Sequence, residues 1–213
     1  MKKKIFSYQQ IFLFVTSLSF SFYLLGNSNF NFSNQSWLIN GDLAQYQIGW
    51  KFYRDDIWRF PLGLNPNYGI TNSSSIIFSD SIPLFAVFFK IFRGFLSEEF
   101  QYFSFWIFIC IYLQALFSFK IIYYFTKNTP YSLVSSLFFI FSTILIYRSG
   151  IHLSLTAHWL ILGYFYVQIS AVNNKDLKKH LIIYLSILIH FYFSLILMGI
   201  FFLEKIIKFK KLC

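Results

Sequence analysis

The spacing of charged residues limits what this chain can fold into more than any other feature of its sequence. Five windows of 20 to 24 residues contain no Lys, Arg, Asp or Glu. Crossing a bilayer takes about 20 apolar residues, and one charge at its centre costs about 2.5 to 3.5 kcal/mol. The windows therefore predict an all-α bundle of about five membrane-spanning helices, near residues 5–25, 100–122, 131–147, 153–172 and 180–203.

Composition and charge placement exclude several other classes of protein. The 213 residues are 57% hydrophobic and 24% aromatic, whereas 12% are charged, which excludes a soluble enzyme and a disordered tail. The net charge is +10, but the basic residues flank apolar runs instead of lining one face of a polar domain. This placement argues against a nucleic-acid partner and indicates membrane lipid. The three Lys residues at positions 2 to 4 predict a cytoplasmic N-terminus.

A long loop over residues 26–99 follows the first window, which is predicted to be an uncleaved anchor, the alternative being a secretory signal. The loop holds six of the eight acidic residues and is rich in aromatic residues. Loops of this length are usually functional or disordered, and the aromatic residues argue against disorder. We expect it to lie outside, folded against the outer leaflet, with amphipathic helices at the interface.

The apolar run Ser81–Phe89 is too short to span. Nine helical residues rise about 13 to 14 Å, against a hydrocarbon core of about 30 Å. An interfacial helix is predicted, with Asp80 or Ser81 as its cap and Pro83 in its first turn. The alternative is a span over 77–96, which would invert the sidedness of everything after it.

Asp42 is the first candidate for chemistry. It precedes a helical pattern with Gln45 three residues on, which predicts a capping box in which Asp42 is the N-cap. A carboxylate at the membrane surface also suits a general base, or a ligand for a divalent metal. The residues leave both roles open.

The second group of candidates is basic. Lys51, Arg54 and Arg59 are suited to holding a phosphate, and the alternative is a solvated cluster that anchors the loop at the interface. Asp80, between serines, is either a helix cap or a substrate contact.

The third group follows the third window. Arg148, His152 and His158 are predicted to lie near the outer mouth of the bundle, on the same side as Asp42. Each histidine is either a substrate contact or simply hydrogen-bonded, and the spacing of six residues argues against a shared metal. His190, in the middle of the last window, is expected to bond a neighbouring helix.

These features together resemble the N-terminal part of GT-C-type membrane glycosyltransferases. The chain is also similar over its full length to a bacterial family of uncharacterised polytopic proteins grouped with them. The residues that carry this likeness are Gly41-Asp42, Gly49-Trp50, Arg54, Trp58, Phe60-Pro61-Leu62-Gly63, Ser79-Asp80-Ser81-Ile82-Pro83-Leu84, Gln101-Tyr102-Phe103 and His158-Trp159.

The resemblance implies transfer of a sugar from a polyprenyl-phosphate donor at the extracytoplasmic face of a bacterial cytoplasmic membrane. The key catalytic acid would be Asp42. Where many relatives carry a second acid, this chain has His158. Relatives continue with further spans, so residues 1–213 would be one portion of such an enzyme, half of a two-chain enzyme, or a reduced copy. The alternative function is a non-catalytic membrane module or a component of a lipid or polysaccharide exporter.

Overall fold

The computed structural model describes residues 8–69 and 73–210, and these are mostly α-helical. The predicted all-α class is confirmed. The described residues form nine α-helices: α1 Tyr8–Leu25, α2 Gly41–Asp55, α3 Pro83–Ile91, α4 Phe103–Thr126, α5 Thr129–Ile140, α6 Thr143–Ile151, α7 Trp159–Ile169, α8 Lys175–Ile189 and α9 Phe191–Lys210.

Two helices, α1 and α4, are long and apolar enough to cross a membrane, and they pack against each other. The helix α1 falls within the predicted span 5–25, whereas α4 begins inside the predicted span 100–122 and continues four residues past its end, to Thr126. Residues 5–7 and the Lys residues at positions 2 to 4 lie outside the described residues. Each is an uninterrupted helix because its window contains neither proline nor a central glycine.

The next two predicted spans are interrupted. The window 131–147 contains parts of α5 and α6, whose axes differ by 44° across a break at Phe141 and Ser142; together they make a third candidate span if the pair counts as one. The Ser142 hydroxyl accepts a hydrogen bond from the Leu145 N–H at 3.4 Å, which caps α6. The window 153–172 contains a short 3-10 segment, Leu153–Thr156, and then the 11-residue helix α7.

The prediction of one helix over 180–203 is wrong. The chain breaks at His190, which is extended (φ −160°, ψ 127°), and α8 and α9 pack against each other. Lys179 of α8 pairs with Glu204 of α9, and Lys205 Nζ lies 2.6 Å from Asp176 Oδ2. These pairs join the start of α8 to the end of α9, so the two helices form an antiparallel hairpin with His190 at its tip.

The loop over 26–99 is folded, as predicted. It contains α2, α3 and a two-stranded antiparallel ladder of β1 Leu64–Asn65 and β2 Ser74–Ser75, with Leu64 opposite Ser75. The helix predicted at Ser81–Phe89 is present as α3, with Pro83 in its first turn. Its nine residues give about 13 to 14 Å, too short for a span over 77–96.

Buried aromatic side chains attach the loop to the helical bundle. The indole Nε1–H of Trp50, on α2, donates to the carbonyl of Phe100 at 3.1 Å. That of Trp106, on α4, donates to the carbonyl of Leu153 at 2.7 Å. The Tyr102 hydroxyl donates to the carbonyl of Ser81. Satisfied polar tips allow such large rings to be buried. The bonds of Trp50 and Tyr102 join the loop to the residues around the start of α4, and the bond of Trp106 joins α4 to the segment after α6.

Candidate functional site

A cleft of about 430 Å³ lies where the loop meets the bundle. It is built from three separate parts of the chain: the turn before α3, the end of α6 with the segment that follows, and the tip of the α8–α9 hairpin. The lining residues are Ile77, Phe78, Asp80, Arg148, His152, Leu155, His190, Phe191 and Tyr192. We call this space the hairpin-tip cleft.

Asp80 enters the cleft from a strained turn. Its backbone is left-handed (φ 54°), and so is that of Ile82 (φ 52°). Aspartate tolerates this conformation, whereas a β-branched residue in it is a true outlier that the surrounding packing must hold. The predicted capping of α3 by Asp80 or Ser81 is wrong, because Ile82 precedes the helix and neither side chain caps it.

Buried hydroxyls hold this turn against α2. The Ser81 hydroxyl donates to the carbonyl of Tyr46 at 2.7 Å, and the Ser79 and Ser81 hydroxyl oxygens lie 2.8 Å apart. Both serines are fully buried. The backbone of Asp80 is therefore fixed from both sides, while its side chain remains 34% exposed in the cleft.

His190 lies against Asp80. Its Nε2 is 3.3 Å from Asp80 Oδ1, and its side chain is only 5% exposed. Its Nδ1 lies 3.2 Å from the backbone nitrogen of Tyr192 and accepts that N–H. A nitrogen that accepts cannot carry the proton of a neutral imidazole. The proton of neutral His190 is thus on Nε2, which faces the carboxylate.

Asp42 lies at the rim of the cleft. One carboxylate oxygen is 3.9 Å from His152 Nε2, and the side chain is 61% exposed. The predicted capping box is wrong: α2 begins at Gly41, Asn40 takes the cap position, and the Gln45 side chain instead donates to the carbonyl of Phe78 at 3.1 Å. Asp42 is free of a capping role, and its negative charge in the first turn suits the helix dipole.

Tyr46 is a buried residue of α2 whose ionisation is affected by the carboxylates of both Asp42 and Asp80. Its side chain is buried, and it lies one turn after Asp42 on α2. Burial raises the pKa of its phenol well above the ordinary value, and the charges of Asp80 and Asp42 raise it further. Both carboxylates therefore disfavour the ionised form of this phenol.

Arg148 provides the cation of the cleft. It lies in the last turn of α6, with its guanidinium 5.9 Å from the centre of the Tyr147 ring. Within the described ranges no carboxylate lies at ion-pair distance from it. His158 occupies the position just before α7 and does not line the cleft; its half-buried ring is 6.0 Å from that of Phe193.

The three predicted phosphate ligands, Lys51, Arg54 and Arg59, lie elsewhere. Arg54 is in the last turn of α2, about 18 Å along the axis from Asp42. It donates to the carbonyls of Leu96 at 2.9 Å and Glu98 at 3.2 Å, so its charge serves to hold the loop. Lys51 lines a separate cleft with Arg54, Asp55 and Glu98.

Arg59 is also engaged. Its guanidinium makes two hydrogen bonds to the Asp56 carboxylate, at 2.6 and 3.1 Å. This pair lowers the pKa of Asp56. The structure therefore does not bring Lys51, Arg54 and Arg59 together with Asp42.

The described side chains give no support to the predicted metal at Asp42. Among residues 8–69 and 73–210, no group of three or more His, Cys, Asp or Glu side chains could hold an ion. The ligands that Asp42 would need are separated: His152 is beside it, but Asp80 is paired with His190.

Comparison with known families identifies the family of this chain. A model of the family described as "Domain of unknown function (DUF6311)" matches residues 14–211. The chain belongs to this family. The match includes every side chain of the hairpin-tip cleft and both candidate carboxylates, so the cleft lies within the family's domain. No curated protein and no solved structure matches the chain.

Sequence reasoning selected Asp42, Asp80, Arg148 and His152 as site residues, and the structure brings these four together. It missed His190, which it assigned to contact between helices. The available signal was a histidine, a residue that is costly at membrane depth, in the middle of a charge-free window. Tyr46 was not among the predicted site residues, and its hydroxyl gave no signal in the sequence.

Proposed function

We propose that this chain is a membrane glycosyltransferase-like protein of the GT-C type, which transfers a sugar from a polyprenyl-phosphate donor at the extracytoplasmic face. The observation that carries the proposal is the hairpin-tip cleft. Asp80, Arg148, His152 and His190 come from three distant parts of the chain to line it, and Asp42 lies at its rim. Polar groups that meet at membrane depth are functional candidates by default.

The chemistry of the cleft suits a lipid-linked sugar. Arg148, with no carboxylate partner in the described part of the chain, is available for the donor phosphate, and a guanidinium binds phosphate through two parallel hydrogen bonds. Asp42 is exposed enough to reach an acceptor and to take its proton as the new glycosidic bond forms. The positive charge of Arg148 stabilises the departing phosphate.

The hairpin supports a topology in which the cleft faces outward. From a cytoplasmic N-terminus, α1 runs out, α4 in, α5 and α6 out, and α7 in. The helix α8 then runs out to His190, and α9 returns. Lys175, Lys179 and Lys205 all fall at the cytoplasmic end, as the positive-inside rule requires. A single span over 180–203 would place Lys205 outside.

Helix lengths support a cleft that is sunk into the membrane. The helices α7 and α8 have 11 and 15 residues, which gives about 16 and 22 Å. Both are shorter than a hydrocarbon core of about 30 Å. If their cytoplasmic ends lie at the inner surface, the cleft at their outer ends lies below the outer surface. We propose that the lipid-linked sugar enters the cleft at that depth.

Labelling of single cysteines tests this topology. After Cys110 and Cys213 are replaced, cysteines at positions 42, 95 and 150 should react with a membrane-impermeant maleimide on intact cells; position 95 is the exposed choice in the loop, since Phe95 is 93% exposed. Cysteines at 127, 176 and 205 should react only after the membrane is permeabilised. Position 205 is decisive because it changes sides if 180–203 crosses once. Labelling of 205 on intact cells would contradict the hairpin topology.

Release of polyprenyl phosphate tests the activity, because this product forms whichever acceptor receives the sugar. The assay uses the purified protein in proteoliposomes together with a membrane extract. The donors are the polyprenyl-phosphate derivatives of glucose, mannose, galactose and arabinose. We expect the protein to release polyprenyl phosphate from at least one of them. Replacing Asp42 with asparagine should lower that release about 100-fold or more, because general base catalysis contributes at least that much. Mass spectrometry of the released lipid measures it.

Asp55→Asn is the matched control, since Asp55 is an equally exposed acid (62%) at the other end of α2. It should release polyprenyl phosphate at the wild-type rate. Equal rates in the two variants would contradict a catalytic role for Asp42. Donor binding without release in the wild type would contradict the glycosyltransferase proposal and favour the non-catalytic membrane module.

A further inference from the structure

We infer that His190 is a positioning residue: it fixes one carboxylate oxygen of Asp80 so that the other accepts a hydrogen bond from a hydroxyl of the donor sugar. The inference rests on the proposed function, because it names the part of the cleft that holds the sugar. It is independent of Asp42.

The first step is the fixed orientation of the imidazole. Its two ring nitrogens face different partners, the Tyr192 N–H at Nδ1 and Asp80 Oδ1 at Nε2. The backbone of His190 is itself held, because its N–H donates to the Ser186 carbonyl at 2.8 Å and its carbonyl accepts from the Phe193 N–H at 3.1 Å. The rings of Phe191 and Tyr192 pack beside it. The protonated Nε2 is therefore held 3.3 Å from Asp80 Oδ1, within reach of a hydrogen bond.

The second step is the role of Nδ1 as a helix cap. His190 occupies the N-cap position of α9, and Tyr192 is the second residue of that helix. An N-cap side chain normally accepts the N–H of the second or third helical residue, and serine, threonine, aspartate and asparagine do this most often. Here the imidazole does it, and the cap locks the tautomer. Formation of the hairpin tip and alignment of the site depend on the same ring.

The third step is the free oxygen of Asp80. Its Oδ2 has no hydrogen-bond partner within residues 8–69 and 73–210, and the side chain is part of the cleft wall. An ionised carboxylate only accepts hydrogen bonds, and sugar hydroxyls are donors of suitable size. Arg148 lines the same cleft and suits the phosphate. The cleft thus offers an acceptor for the sugar and a cation for the phosphate.

Two substitutions separate the two functions of the ring. In His190→Asn the side-chain oxygen can accept the Tyr192 N–H and keep the cap, but the side chain is too short to reach Asp80. In His190→Gln the amide nitrogen can reach Asp80, but glutamine is a poor cap. We expect His190→Asn to keep the wild-type melting temperature and to raise the KM for the donor tenfold or more at unchanged kcat. We expect His190→Gln to keep the KM within about threefold and to melt lower.

A readout without turnover distinguishes failure of this inference from failure of the proposed function. In protein labelled with ¹⁵N-histidine in nanodiscs, His190 should show a protonated Nε2 and an unprotonated Nδ1, and Asp80→Asn should shift its Nε2 signal. The His190→Gln spectrum identifies the signals. Protonation on Nδ1, no response to Asp80→Asn, or equal KM values in the two His190 variants would overturn the inference. If the protein transfers no sugar, the histidine spectrum alone tests the position of the imidazole proton and the contact of His190 with Asp80.

Discussion

Replacing Glu204 with alanine should lower the free energy of unfolding by about 3 to 5 kcal/mol, because it leaves the buried ammonium of Lys179 without its counter-charge. Lys179 is 1% exposed, and its Nζ contacts both Glu204 and the side-chain carbonyl of Gln168. Glu204 is 17% exposed. The pair joins the open ends of α8 and α9. Chemical or thermal unfolding in detergent, followed by circular dichroism, measures the loss.

The chain contains a matched exposed pair in the same hairpin. Lys205 and Asp176 also join α8 to α9, but their side chains are 43% and 51% exposed. Asp176→Ala should therefore cost at most about 1 kcal/mol. Adding Lys179→Met to Glu204→Ala should restore most of the lost stability, since no charge is then buried. If Glu204→Ala and Asp176→Ala cost the same, the buried pair does not hold the hairpin.

Charge-free windows could identify the apolar helices but not every place where they break. The windows around α1 and α4 each contain one helix, because nothing in them competes with the helical backbone. The break at His190 has no proline or glycine to mark it. It is made by a side chain that caps α9 and faces Asp80, 110 positions earlier in the sequence. A contact so distant along the chain leaves no trace in local periodicity.

The predicted membrane topology was enough to identify part of the candidate site. Asp42, Asp80, Arg148 and His152 share one side of the predicted membrane, and the fold brings them together. The basic residues of α2 and beyond were assigned by charge alone. Arg54 instead binds backbone carbonyls of residues 96 and 98, which carry no signature in the sequence. The role of a basic side chain depends on the group that it binds. Backbone carbonyls that bind such a side chain can be identified only in the folded structure.

The absence of a side chain at Gly49 decides whether Asp80 reaches the cleft. This glycine on α2 is the point where the helix meets the turn before α3. A Cβ there would lie 2.3 Å from Ser79 Cβ and 2.7 Å from Ser81 Oγ, and both serines are fully buried. Gly49→Ala should therefore lower the free energy of unfolding by about 3 kcal/mol, the upper end for overpacking. Unfolding in detergent measures it.

Two further variants show whether the turn is the cause. Gly199→Ala, on α9, adds the same methyl group where nothing lies within 4 Å, and it should be neutral or stabilise by up to about 1 kcal/mol. Ser79→Gly removes the nearer of the two side chains that an alanine at position 49 would meet, so the double variant should recover part of the stability. In Gly49→Ala the turn must move away from α2, and the His190 signal should change as it does in Asp80→Asn. An unchanged signal in a destabilised Gly49→Ala would mean that the strained turn does not position Asp80.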